Sequence, residues 1–546
     1  MKYIGHRKLI SPHQIGFMKN SSTSDHIFLL QTIIEKVVKK DKKKLYTAFI
    51  DFKKAYDTVN REVLTKRLRT LGINGIFLQN IVAMYKITAY RVKLNSGFSR
   101  HINSNLGLKQ GCPLSPMLFN LYIDDIGEVF DETCHPIELQ NDPLNHFLYA
   151  DDLVIISESK EGLQNALKKL HDFSLRKHLT INTKKTKCII FNHAGLHLKT
   201  DFTINNETIE TVNSFCYLGF DVKSSGTVKH AMNILHDKAR KALRPLISVI
   251  ARFHLPVRTT INLFNTFISP ILLYNAENWS TFTDKKLNRF TNSSIFDDIL
   301  ASKTDLVHRK LLKFTLGVSK SCPNLAVYGE TGEFPLSLKA YRLTLNFWHR
   351  VTNLPDTALA KKAMMENIKL RTNWIVTIEK LITRFNLADK IDNHNIFKKS
   401  TRYEIEKSYL EYWEKELKKP ELTRLQFFSE IKNNFKKEKY LEIDNFDHRK
   451  IIAKLRCSDH SLEIETGRHR KIDRIERICK QCTAAVVETE SHFLIECSKF
   501  RALRDKYGMT QFRTAQEFMN NADPGDLGLY LSEAFSMRDM GNIIQP

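Results

Sequence analysis

Three acids stand where chemistry on phosphates could be done. Asp51 ends the apolar run Leu45-Tyr46-Thr47-Ala48-Phe49-Ile50, and Asp151-Asp152 separates the runs Phe147-Leu148-Tyr149-Ala150 and Leu153-Val154-Ile155-Ile156. Each run reads as a short buried strand, the last two forming a tight hairpin with acids at its tip. Carboxylates on rigid strand ends suit hard divalent cations, because Mg²⁺ takes oxygen ligands in near-octahedral geometry. Two such ions can activate a hydroxyl nucleophile and neutralise a triphosphate and its leaving pyrophosphate, as nucleotidyl transfer requires. Taken alone, Asp-Asp is more often a turn pair, and Asp51 before Phe52-Lys53-Lys54-Ala55 more often a helix N-cap. A metal site requires the strands to be neighbours in one sheet.

A second group has softer donors. Cys479-x-x-Cys482, His492 and Cys497 form a C-x2-C-x9-H-x4-C pattern. Zn²⁺ takes four such ligands in a tetrahedron, and a C-x2-C knuckle supplies two of them. A separation of five does not put His492 and Cys497 on one face of an α-helix, so His492 is expected at a helix's first turn. The bland alternative is two free cysteines in a turn and a core histidine. The other cysteines are scattered, which fits a reduced intracellular setting better than a disulfide framework.

These residues need a scaffold. Residues 24–40 show helical periodicity, with Ile27, Leu30, Ile33, Ile34 and Val37 on one face. The lysine-rich turn Lys39 to Lys44 then leads into the first strand. A helix is predicted over 161–178 and a strand over Lys187-Cys188-Ile189-Ile190-Phe191. After about residue 227 strand signals fade and helices dominate, with basic residues at Lys238, Arg240, Lys241 and Arg244. Residues 395–440 read as a helical connector.

At 546 residues the chain is long enough for three or four domains. Its 84 Lys+Arg against 60 Asp+Glu leave a net charge of +24, and a polyanion such as nucleic acid accounts for that excess. No stretch reaches the 18 consecutive apolar residues of a membrane span. The N-terminus lacks the apolar core of a signal peptide.

The strings around the acids resemble those of reverse transcriptases of non-LTR retrotransposons. Phe49-x-Asp51-x-x-x-Ala55-Tyr56-Asp57-x-Val59 precedes Gly107-Leu108-Lys109-Gln110-Gly111-Cys112-Pro113-Leu114-Ser115-Pro116 and Tyr149-Ala150-Asp151-Asp152. Asn182-x-x-Lys185-Thr186-Lys187 and Phe215-Cys216-Tyr217-Leu218-Gly219, similar to a primer-grip motif, follow in the family's order. Each string is weak alone; five in order are specific. His13-Gln14-Ile15-Gly16-Phe17 and Thr23-x-Asp25 resemble the fingers motif, and the string from Ile464 to Cys497 resembles the C-terminal zinc module of the same class.

The resemblance implies an α+β right-hand polymerase: partial fingers at 1–44, a palm with an antiparallel sheet at 45–226 and a helical thumb at 227–290. A helical connector at 291–440 and a zinc-binding module at 441–546 would follow. It also implies RNA-directed DNA synthesis with Mg²⁺ (or Mn²⁺), an RNA template, a DNA primer or target and deoxynucleoside triphosphates. Asp51 and Asp151 would be the metal ligands, with Asp152 in support. Tyr56 would block a ribose 2′-hydroxyl, Gln110 and Gly111 would lie by the templating pair, and Lys185 would lie near the triphosphate. A structural Zn²⁺ would sit on Cys479, Cys482, His492 and Cys497.

Where the family places arginines after Gly-Phe, this chain has Met18, Lys19, Asn20 and Ser21. Lys19 offers only a point charge in place of a bidentate fork. With much of the fingers expected upstream of residue 1, the competing expectation is a truncated relic that binds nucleic acid without extending a primer. A group II intron maturase shares the Tyr-Ala-Asp-Asp hairpin, but the zinc pattern and Phe215-Cys216-Tyr217-Leu218-Gly219 disfavour it. Neither an apurinic-like endonuclease nor a ribonuclease H pattern is expected, and the expected setting is intracellular, nuclear and/or cytoplasmic.

Overall fold

The computed structural model describes residues 7, 9–86, 88–282, 296, 302–419 and 423–543. The end of the expected thumb (283–290) and most of the opening of the expected connector (291–295, 297–301) lie outside the described residues. The chain forms two compact units, one of residues 1–232, 277–282 and 347–380, the other of 233–276, 283–346 and 381–546.

The first unit is built on the three strands that carry or flank the acids. It opens with helix α1 (Thr23–Ile34), continued by a π-helical turn over Glu35–Lys40. Strand β1 (Leu45–Ile50) follows, then α2 (Arg61–Thr70), α3 (Gly75–Lys86) and α4 (Ser115–Ile123). Strands β2 (His146–Tyr149) and β3 (Asp152–Ser157), helix α5 (Lys160–Arg176) and β4 (Lys187–Phe191) come next. The sheet order is β4-β1-β3-β2, with every neighbouring pair antiparallel. Five of the six β1 residues are buried, as expected for a central strand covered on both faces.

Helix α5 shows how one face is closed. Ser159 caps it, its hydroxyl accepting from Gly162 N–H at 2.9 Å. Leu163, Ala166, Leu167, Leu170 and Phe173 recur at helical spacing and are all buried, and the helix packs on β1 and β3. Each large apolar side chain so buried contributes about 1.5–3 kcal/mol.

Helix α1 departs from the one-faced expectation. Ser24 to Leu30 and Thr32 to Ile34 are all buried. The cause is a distant segment, since the helix Leu359–Lys369 lies along α1 in the same unit. Asn367 Nδ2 donates to Thr32 Oγ1 at 2.7 Å, Glu366 pairs with Lys36 at 3.1 Å, and Arg350 pairs with Asp25.

Strands β5 (Ser214–Tyr217) and β6 (Phe220–Lys223) form a hairpin beside the main sheet, Phe215 stacking on Phe49 of β1 with centroids 4.7 Å apart. Helix α6 (Val228–Phe253) begins the helical half. Its Val228, Ala231, Leu235, Ala239, Leu243 and Ile250 are buried, while Lys238, Arg240, Lys241 and Arg244 are exposed.

The second unit is helical. Helices α7 (Phe446–Arg456) and α8 (Pro524–Ile543) pack together. In its core the Arg456 guanidinium donates to Glu330 at 2.9 and 3.1 Å, and Tyr440 Oη donates to the same carboxylate at 2.6 Å. No described helix is long and apolar enough to cross a membrane.

Candidate active site and candidate metal centre

The sheet brings the three acids together. β1 and β3 pair with Ile50 opposite Leu153, so the next position along sets Asp51 beside Asp152. β2 and β3 close with Tyr149 opposite Asp152, leaving a two-residue turn of Ala150 and Asp151. Ala150 has φ +58°, the left-handed conformation such tight hairpin turns require and that a Cβ disfavours.

The turn before β4 holds Asp51 from the other side. Asn182 N–H donates to Asp51 O at 2.7 Å, and Asp51 N–H donates to Thr186 Oγ1 at 3.2 Å. Asn182 Nδ2 donates to the Asp51 carboxylate at 2.8 Å.

Burial and mutual repulsion set the electrostatics of the acids. Burial, followed by the charges of Asp151 and Asp51, pushes Asp152 up to about 6, although its side chain reaches solvent. Burial and the Asp51 charge raise Asp151 as well. Like-charged carboxylates that resist ionisation in each other's presence form a place a cation would stabilise. Asp51 and Asp152 line a cleft of about 360 Å³ together with Lys184, Lys185 and Lys187. Acids and lysines lining one cleft suit divalent cations carrying a polyphosphate.

The donor set fits Mg²⁺, which takes one or two carboxylates and fills its remaining positions with water and substrate phosphate. The three carboxylates do not form a mutually close cage of the kind the sulfur cluster makes.

Tyr56 stacks on Phe119 of α4, centroids 4.6 Å apart, and its buried hydroxyl has no hydrogen-bond partner. Burial and then the Asp151 charge raise it to about 12, which keeps the phenol neutral. Gln110 Nε2 donates to Asp57 Oδ1 at 2.9 Å, and Gly111 has φ +80° with open space around it. Neither lines the acid cleft, but their loop is tied to the Tyr56 segment, since Leu108 N–H donates to Tyr56 O and Gly107 N–H to Val59 O. Arg61 fixes the same loop, donating to the carbonyls of Ser104, Leu106 and Gly107. Lys19 is exposed and does not line the cleft.

Lys185, expected near a triphosphate, lines the cleft, and so does its neighbour Lys184, which belongs to the same lysine run.

In the second unit, Cys479, Cys482, His492 and Cys497 place their ligand atoms within 4.8 Å of one another. Cys479 N–H donates to Val486 O at 2.8 Å, and Ile478 bridges Val487, which closes the knuckle. His492–Glu496 is a π-helical turn, with Cys497 N–H donating to His492 O at 2.8 Å. This wider i→i+5 turn superposes residues five apart, so both donors reach one point where an α-helix would separate them. His492 Nδ1 lies 3.3 Å from Glu496 Oε2, the carboxylate–imidazole contact that orients metal-binding histidines. Three sulfurs and an imidazole gathered this closely fit a closed zinc site. Buried Glu488 makes a two-pronged pair with Arg538 of α8 at 2.7 and 2.8 Å.

Comparison with known proteins finds relatives of the first half of the chain. Residues 1–222 match the family described as reverse transcriptase (RNA-dependent DNA polymerase). The Pol polyprotein of the type-1 retrotransposable element R2 of Nasonia vitripennis is 26% identical over 267 residues, covering 46% of this chain and 26% of that protein. That of the type-2 element R2DM of Drosophila melanogaster is 26% identical over 232 residues, covering 40% and 21%. The chain thus spans about a quarter of the length of these curated relatives. Among solved structures, apo telomerase from Candida tropicalis superposes with a TM-score of 0.30 at 13% identity, covering 66% of this chain and 58% of that one. With the strand-end acids, the ordered motifs and the family match on one stretch of chain, residues 1–222 form a reverse transcriptase domain similar to those of R2 retrotransposable elements.

Proposed function

We propose that the chain extends a DNA 3′-end on an RNA template by two-metal nucleotidyl transfer. The observation that carries this reading is the register of β1 against β3, which puts Asp51 beside Asp152 at the tip of a hairpin that also bears Asp151.

Asp51 and Asp151 would hold the metal, and Asp152 would add negative charge at the cleft mouth. When bound, two Mg²⁺ ions activate the primer hydroxyl and neutralise the triphosphate. Lys185, with Lys184 beside it, attracts the phosphates of the incoming nucleotide. The Tyr56 ring, held by Phe119, takes up the space a ribose 2′-hydroxyl would need and so selects deoxynucleotides. Gln110 and Gly111 form the platform under the templating pair. The exposed Lys238, Arg240, Lys241 and Arg244 of α6 bind the duplex backbone without reading sequence. The cysteine–histidine cluster holds one structural Zn²⁺ and stiffens its basic surroundings for nucleic acid. Domain limits of 1–44, 45–226, 227–290, 291–440 and 441–546 accompany this assignment.

Primer extension on an RNA template with Mg²⁺ and deoxynucleotides tests it, comparing the chain with Asp151→Ala/Asp152→Ala. Extension lost in the double variant supports the reading. Salt-dependent RNA binding without extension by the wild-type chain would favour the binding relic, in which only the thumb and zinc module act.

A further inference from the structure

We propose that Gln14 is a positioning residue that locks the turn carrying Asp151. The inference rests on the polymerase reading of the three acids and adds a part that none of the motif assignments supplies.

Residues 13–15 run beside β2 and join it by one isolated parallel bridge. Leu148 N–H donates to His13 O at 2.8 Å, Ile15 N–H donates to Leu148 O at 3.1 Å, and Gln14 bridges Leu148 in parallel. His13 stacks on His146 with centroids 4.5 Å apart. This places the Gln14 side chain, 1% exposed, against the Ala150 turn.

The primary amide of Gln14 then meets both polar groups of one peptide residue. Nε2 donates to Ala150 O at 3.0 Å, while Oε1 accepts from Ala150 N–H at 2.8 Å. Oε1 also accepts from Gly16 N–H at 2.8 Å. Only a side-chain amide offers a donor and an acceptor in that fork at this length, since a carboxylate lacks the donor and Asn is one methylene short. Gly16 is required beside it because a side chain there would collide with Ala150 N. Asn120 Nδ2 of α4 fixes that segment in turn, donating to Gly16 O at 2.6 Å.

The residue so clamped is the one in the strained left-handed conformation, and it immediately precedes Asp151. A turn whose central alanine disfavours its own φ reverts to other geometries unless its surroundings over-determine it. Holding both the N–H and the C=O of Ala150 fixes the two backbone dihedrals that set where the turn presents Asp151. Gln14 therefore sets the geometry of the acid pair without touching substrate.

Mn²⁺ binding read by electron paramagnetic resonance on the zinc-replete full chain tests this without requiring turnover. The wild-type chain should show a Mn²⁺ site that Asp51→Asn/Asp151→Asn removes. Gln14→Ala should weaken that site roughly tenfold while RNA affinity stays within twofold. Ala150→Gly, which relieves the left-handed strain, should restore Gln14→Ala to within about threefold of wild type. Gln14→Ala binding Mn²⁺ within twofold of wild type would overturn the clamp. So would a weakened site that Ala150→Gly leaves unrestored while RNA affinity falls in parallel, the mark of general disruption. Absence of any acid-dependent Mn²⁺ site in the wild-type chain would overturn the polymerase reading, and the clamp with it.

Discussion

Asn182 Nδ2 donates to the Asp51 carboxylate across 2.8 Å, joining the turn before β4 to the acid that ends β1. Together with the backbone bonds around it, this contact holds Asp51 from the side opposite Asp152. A neutral amide orients the carboxylate without competing for it, whereas a charged partner would.

Asn182→Ala should leave Asp51 free to rotate. A hydrogen bond to a charged group contributes about 1.5–3 kcal/mol, so primer extension should slow by about 10- to 100-fold. The deficit should fall in kcat, with template affinity unchanged, in a single-turnover assay. A loss confined to template affinity would contradict the assignment.

The acid cleft also predicts a pH dependence with a definite sign. Asp152 is raised to about 6 and Asp151 is raised in the same direction. A folded-state pKa above the unfolded value means that the folded protein binds more protons between about pH 4 and 6. Without metal, stability should fall as pH rises through that window and level off above it. Asp152→Asn should flatten the slope, and saturating Mg²⁺ should do the same by neutralising the acids. Thermal unfolding across the window measures this; a slope indifferent to both would exclude the acids as its source.

The stack of Tyr56 on Phe119 predicts sugar selection. Tyr56→Val opens the space in front of the ring and should raise the ribonucleotide-to-deoxynucleotide ratio of kcat/KM by at least roughly tenfold, about 1.4 kcal/mol. Deoxynucleotide incorporation should persist. An unchanged ratio would assign Tyr56 to packing alone.

The cysteine–histidine cluster predicts one tightly bound zinc per chain by elemental analysis. Structural zinc in small modules contributes about 10–16 kcal/mol of apparent binding free energy, so its removal should unfold the local structure. Cys497→Ser or strong chelation should abolish the zinc and open proteolytic sites between residues 460 and 500. Arg538→Met, which strands the buried Glu488 carboxylate, should destabilise the same region by about 3–5 kcal/mol with zinc still bound. Metal-free protein that resists protease as well as the holo form would count against a structural zinc.

Much of this architecture was legible in local sequence. The runs ending at Asp51 and flanking Asp151-Asp152 are short, apolar and bounded by charge, so burial leaves them little choice but strand. The α5 stripe was equally plain. What remained hidden depends on distant chain. α1 reads as one-faced because periodicity cannot foresee a helix from residues 359–369 covering its other side. The five-residue step from His492 to Cys497 looked awkward only against an α-helix, and a π-helical turn resolves it. The bracing of Ala150 by Gln14 joins residues 136 apart and leaves no mark in either local pattern.

The most direct test is incorporation of one deoxynucleotide on an RNA template, followed in single turnover across a Mg²⁺ titration for wild type and Asp51→Asn. The account predicts saturable, Mg²⁺-dependent extension by wild type, reduced at least roughly 1,000-fold in Asp51→Asn, about 4 kcal/mol of lost transition-state stabilisation. Equal rates in the two proteins would contradict it, as would no extension by wild type at any Mg²⁺ concentration.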